Sequence, residues 1–188
     1  MRIAVFASGN GSNFEAVARQ RYRRAQIVLL ITDNENAYCV ERSKKLNIPY
    51  YIFPYDKYSG KSEYEKDILL LLTKEKIDVI VLAGYMRIVS PIILNAYPKR
   101  ILNIHPSLLP AFKGMNAIRE AYNYGVKIIG ITVHYVSPAV DAGEIIAQDA
   151  FRIGRRTLPE VEARIHRLEH RLYPRVIKRL FDKQGDRL

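Results

Sequence analysis

Short apolar runs, each followed by a stretch with helical spacing, narrow what this chain can fold into. The runs are Ile3–Ala7, Ile27–Thr32, Tyr50–Phe53, Val79–Ala83 and Ile101–Ile104. Each is too short for a buried helix, and most are apolar at consecutive positions instead of alternating. A strand apolar on both sides must be covered on both faces, the condition of parallel strands sandwiched between helices. Helical patterns fill the gaps: through Phe14, Val17 and Ala18; over Ala37–Leu46; over Ser62–Lys76; from Ser90-Pro91, an N-cap with proline at the first helical position; and over Met115–Tyr124, closed by Gly125. Then the alternation stops. Lys127–Val136 and Glu144–Ile153 are strand runs with no helix between them, which predicts an antiparallel or mixed end to the sheet. A long helix opens at Thr157 and Pro159, with Val161, Ile165, Leu168, Leu172, Val176 and Leu180 three and four apart.

The expected fold is therefore α/β: a Rossmann-like, open, mostly parallel twisted sheet, helices on both faces, and a mixed C-terminal part. At 188 residues the chain is expected to be one domain, residues 1–100 forming one half and 101–188 the other. The one cysteine, Cys39, excludes an internal disulfide framework and a four-cysteine zinc site. No apolar run approaches the roughly 18 residues of a membrane span. Met1 leads directly into a strand, so no signal peptide is expected, and the predicted setting is cytoplasmic with no membrane partner. The formal charge is +11, and residues 151–188 hold eleven Lys and Arg against five Asp and Glu. No basic tract is interleaved with glycine and aromatic residues, and no zinc-finger spacing occurs, so nucleic acid is not the expected partner. A solvated basic surface, or one that steers an anionic small molecule, fits better.

Three loops carry chemistry. Ser8-Gly9-Asn10-Gly11-Ser12-Asn13 joins the first strand to the first helix, where backbone N–H groups and glycine turns make an anion cradle. Phosphate is the natural guest, with Ser12 and Asn13 as donors; a plain capped turn is the alternative. The dinucleotide fingerprint is broken, because Phe14 stands where its third glycine belongs, and no Gly-Lys-Ser/Thr follows as in a triphosphate loop. The second loop begins in Leu102-Asn103-Ile104-His105-Pro106-Ser107. Strand periodicity puts Asn103 and His105 on one side, and Pro106 ends the ladder, leaving His105 at the carboxyl end of its strand, where open α/β sheets bind ligands. An amide beside an imidazole suits a carbonyl whose oxygen gains charge; a structural role for both is the alternative. In the third loop, Asp141 lies in a turn before Gly143, as an acidic partner for His105 or as a surface turn residue. A Ser107–His105–Asp141 hydrolase lacks the Gly-x-Ser-x-Gly elbow. Zinc on His105, His134 and Asp141 lacks a short histidine pair, so no metal is expected, and His134 reads as a packed strand histidine.

At these residues the chain resembles the glycinamide ribonucleotide formyltransferases, folate-dependent transferases of one-carbon metabolism in de novo purine synthesis. Five strings in order carry the resemblance from Arg2 to about Leu180: the first loop; Leu82-Ala83-Gly84-Tyr85-Met86-Arg87-Ile88; Leu102–Pro110; Val140-Asp141-Ala142-Gly143; and Glu169-His170-Arg171-Leu172-Tyr173-Pro174. The resemblance implies 10-formyltetrahydrofolate as co-substrate and glycinamide ribonucleotide as acceptor. It implies Asn103, His105 and Asp141 as catalytic; Gly11, Ser12 and Asn13 as the phosphate turn; and Glu169 at the ribose or amine side. Lys61 and Arg100 match basic positions near the ribonucleotide. Arg87 matches a residue at the glutamate end of folate, and Met86, Ile88, Val89, Val136, Ser137 and Val140 match the pterin wall. A monomer or homodimer is expected.

Family relatives share the catalytic trio. Formyltetrahydrofolate hydrolases, with water as acceptor, are the alternative; they normally carry an N-terminal regulatory domain, for which Met1 leaves no room, and lack the Gly-Ser-Asn turn. Methionyl-tRNA formyltransferases usually add a C-terminal tRNA-binding domain, which is not expected in a chain that stops after one long helix. A sensor that binds without turnover would tolerate decay of the trio, and none is seen. Two features depart from the family pattern: a C-terminus at Leu188 shorter than in many relatives, and Lys113 where proline is common.

Overall fold

A computed structural model describes residues 1–182. Seven strands form one sheet: β1 (Arg2–Phe6), β2 (Gln26–Thr32), β3 (Tyr50–Ile52), β4 (Val79–Leu82), β5 (Ile101–His105), β6 (Ile128–Tyr135) and β7 (Ile145–Arg152). Their order is β3-β2-β1-β4-β5-β6-β7. The first five are parallel; β6 and β7 run antiparallel to their neighbours. This is the Rossmann order with the expected mixed end. The chain winds outward from β1 to β3 and then returns to β4 on the other side, opening a crevice at the carboxyl ends of β1 and β4.

Strand periodicity explains why the runs are apolar throughout. Ile3, Val5, Val79, Val81 and Leu102 face one core with α1 (Ser12–Arg19), α2 (Cys39–Lys45), α5 (Ala117–Tyr124) and α6 (Leu158–Asp182). Ala4, Phe6, Ile80 and Leu82 face a second core, against α3 (Lys61–Lys74) and α4 (Pro91–Ala96). Both faces are covered, so both sides of β1 and β4 are apolar.

Local chemistry sets the helix ends. The predicted helix over Ala37–Leu46 starts only at Cys39, because Asn34 Oδ1 accepts from Asn36 N at 3.0 Å and holds a turn ahead of it. The predicted start at Met115 moves to Ala117, since Gly114 N is drawn off to the Asp141 carboxylate at 3.0 Å. At α6 the Glu160 carboxylate accepts from Thr157 N at 2.8 Å and from its hydroxyl at 2.9 Å, one half of a capping box. Further along α6, the fully buried Tyr173 hydroxyl lies 2.9 Å from Leu82 O and 3.0 Å from Leu102 O. Its single proton is shared between carbonyls of β4 and β5, which fastens the helix to the sheet. Among the described residues no helix is long and apolar enough to cross a membrane.

Candidate active site

A cavity of about 340 Å³ opens where β4 and β5 end. The first loop reaches its wall through Asn13. Gly11 is the N-cap of α1 at φ 73°, and a Cβ there would fall 2.4 Å from Cys39 Cβ, so both the left-handed backbone and the close approach of α2 require glycine. No side chain caps the α1 terminus, and its first-turn N–H groups stay available to an anion. Gly11 and Ser12 form the turn itself, while Asn13 reaches the cavity wall. The loop is braced from α2: Arg42 donates through Nε to Asn10 O at 2.8 Å and through Nη2 to Asn10 Oδ1 at 2.9 Å, and its Nη1 pairs with Glu15.

Deeper in, four side chains meet. Asn103 and His105 sit on one side of β5, and register pairs Asn103 with His134 on β6. His134 Nδ1 lies 2.9 Å from Tyr135 O, a carbonyl that only accepts, so this nitrogen carries the proton. Burial pushes the His134 pKa down, and in the neutral ring Nε2 is the acceptor for Asn103 Nδ2 at 3.2 Å. That contact orients the amide, whose second N–H has no partner among the described residues. His105 is 5% exposed. Its Nδ1 lies 3.3 Å from Asp141 Oδ2, and its Nε2 donates to Phe112 O at 2.8 Å. Both nitrogens therefore face acceptors, which fix the orientation of the ring. Asp141 sits in the β6–β7 loop with φ 47°, left-handed backbone that an aspartate tolerates and that is more frequent at functional positions. Its Oδ1 is 3.7 Å from His134 Nε2.

The outer wall is the segment after β4. Ser8 Oγ accepts from Met86 N at 2.9 Å and Ser8 N donates to Gly84 O at 3.1 Å, tying that segment to the first loop. Met86, Ile88 and Val140 remain 64%, 60% and 48% exposed around the mouth, an apolar rim ready for a flat ring. Val89, Val136 and Ser137 also line the cavity. Arg87 does too, but its Nε lies 2.8 Å from Asp33 Oδ2 and its guanidinium stacks 4.0 Å from the Tyr55 ring centroid. On the α6 side, Glu169 is 4% exposed and its Oε2 accepts from Asn13 Nδ2 and from His166 Nδ1, each at 3.0 Å.

The formyl transferase family model matches residues 1–177. The chain belongs to that family. It is 46% identical over 183 residues, 95% of this chain and 94% of the relative, to phosphoribosylglycinamide formyltransferase of Bacillus subtilis (strain 168). The solved phosphoribosylglycinamide formyltransferase of Bacillus halodurans superposes with a TM-score of 0.93 at 43% identity, covering 98% of this chain and 97% of that one. The enzyme of the same name from Streptococcus pneumoniae TIGR4 gives 0.91 at 44% identity, covering 96% and 98%.

Within this formyl transferase the structure brings most residues singled out in the sequence to one place, and separates two. Arg100 precedes β5, at the amino end of the strand that carries His105 at its carboxyl end. It is not in the cavity wall, from which the length of the strand separates it. Lys61 opens α3 and is not in the cavity wall. Ser107 is buried and donates to Ala111 O at 2.6 Å, so its hydroxyl holds a turn. The cavity wall draws on both halves of the chain: Asn13 and Met86–Val89 come from residues 1–100, Asn103, Asp141 and Glu169 from residues 101–188. Residues 183–188, including the short C-terminus, lie outside the described part. Two site residues escaped the sequence reading. His134 looked packed because its partner lies on another strand, although its place at period two on β6 was legible. His166 precedes Glu169 by one helical turn, a spacing that marks a shared face.

Proposed function

We propose that this formyl transferase moves the formyl group of 10-formyltetrahydrofolate to the amine of glycinamide ribonucleotide, giving the N-formyl ribonucleotide and tetrahydrofolate in purine biosynthesis. The observation that carries the reading is the meeting of Asn103, His105 and Asp141 in one cavity whose wall also includes Asn13 from the uncapped turn of α1. The substrate amine attacks the formyl carbon, and charge develops on the formyl oxygen. Asn103, held by His134, supplies an N–H to that oxygen, and protonated His105 supplies a second as it exchanges one of its present contacts for the substrate. Asp141, 3.3 Å from His105 Nδ1, orients the ring and serves proton transfer from the attacking nitrogen to the departing folate nitrogen. Gly11, Ser12 and Asn13 take the ribonucleotide phosphate, with Glu169 beside it. The pterin packs among Met86, Ile88, Val89, Val136, Ser137 and Val140, and Arg87 stands towards the glutamate end. No step requires a metal ion.

The test follows release of the folate product from 10-formyltetrahydrofolate, with and without glycinamide ribonucleotide. Release that depends on the ribonucleotide, and falls at least about a hundredfold in Asp141→Asn, is the expected result. Equal release in both cases would make the protein a hydrolase instead.

A further inference from the structure

The contacts around Glu169 raise a problem of charge. A carboxylate that is 4% exposed stands next to the turn assigned to a phosphate, and two like charges at close range oppose each other. The same oxygen that accepts from Asn13 Nδ2 also accepts from His166 Nδ1, each at 3.0 Å. The His166 side chain is 56% exposed and lines the cavity, and its Nε2 has no partner among the described residues. A protonated ring at this point cancels the charge of Glu169 and keeps one N–H for a ligand.

We propose that His166 holds the ribonucleotide as an imidazolium, so that affinity for this substrate falls as the ring loses its proton. This rests on the functional reading above. The surroundings favour the charged form. The hydrogen bond that His166 donates to Glu169 raises the His166 pKa above its ordinary value against the opposing effect of burial, and Glu162 on the same helix adds to it. His170, also on α6, has its own pKa lowered by burial and is acted on by Arg42 of α2. Asn13, the neighbour from α1, is uncharged, and Asp141 across the cavity is engaged by His105, His134 and Gly114. The ring is therefore charged on the acid side. As pH rises through its pKa, Glu169 is left unbalanced beside the phosphate and Nε2 loses its proton.

The experiment measures KM for glycinamide ribonucleotide from about pH 6.5 to 9 in the wild-type protein, in His166→Gln and in Glu169→Gln. Titrations of the substrate's own phosphate and amine are common to all three and cancel in the ratios. At the acid end KM of His166→Gln should exceed that of wild type by about tenfold, the size of one charge-assisted contact. The ratio should close towards one at the alkaline end, while the kcat ratio stays level across the range. In Glu169→Gln the slope of KM should move to lower pH. A KM ratio constant across the range would overturn the proposal. Absence of any ribonucleotide-dependent turnover in the wild-type protein would overturn the functional reading first. A second readout needs no turnover: the His166 ring resonance should titrate above 6.5, the ordinary value, and higher still with ribonucleotide bound. A midpoint unmoved by the ribonucleotide would also overturn the proposal.

Discussion

Asn103 depends on a neighbour that is itself kept neutral by burial. His134 can accept from the amide only while Nε2 is unprotonated, so the lowered pKa of this ring keeps Asn103 aimed into the cavity. Replacing Asn103 by Ala removes a donor to the developing charge, and kcat should fall roughly 10²–10³-fold in steady-state assays. His134→Phe leaves the donor in place but unaimed; kcat should fall in the same direction by less, with KM for the ribonucleotide unchanged. At this scale much was legible. Asn103 and His105 share a side by strand period, and Asp141 was marked by its turn. His134 and His166 were not identified, because their meaning comes from partners on β5 and from the buried Glu169, and neither pairing is written in local spacing.

Tyr173 shapes a site that its own side chain does not touch. Helix α6 carries His166 and Glu169 to the cavity, and the Tyr173 hydroxyl, between Leu82 O and Leu102 O, sets where the helix lies on the sheet. Tyr173→Phe leaves those buried carbonyls without their shared proton, which costs about 1–3 kcal/mol. Urea unfolding should show a lower midpoint with an unchanged slope. The helices and strands were themselves readable from period and composition. Their ends were less so: α2 and α5 start late because Asn34 and Asp141 hold the preceding backbone, and the Asp141 contact is made across the fold.

The whole molecule carries histidines that respond to pH in opposite senses. Burial lowers the pKa of His134 and His170, so each contributes stability above the unfolded value of 6.5 that is lost as pH falls through the folded value. His166 is raised by Glu169; its contribution is full below 6.5 and lost as pH rises through its folded value. Two rings against one predict a thermal midpoint that declines on acidification below about pH 6.5, by less in His134→Gln than in wild type. By itself the sequence determined the sheet class and its mixed end, and it marked the turn proposed for an anion and the trio proposed as catalytic. These depend on residue type and period, which are local. The tertiary structure alone decided that Arg100 lies at the far end of β5, that Arg87 is paired with Asp33, and that both sides of residue 100 build one cavity. Each of these is set by where separate strands and helices end in space, and chain order constrains that only through the packing of both faces of the sheet.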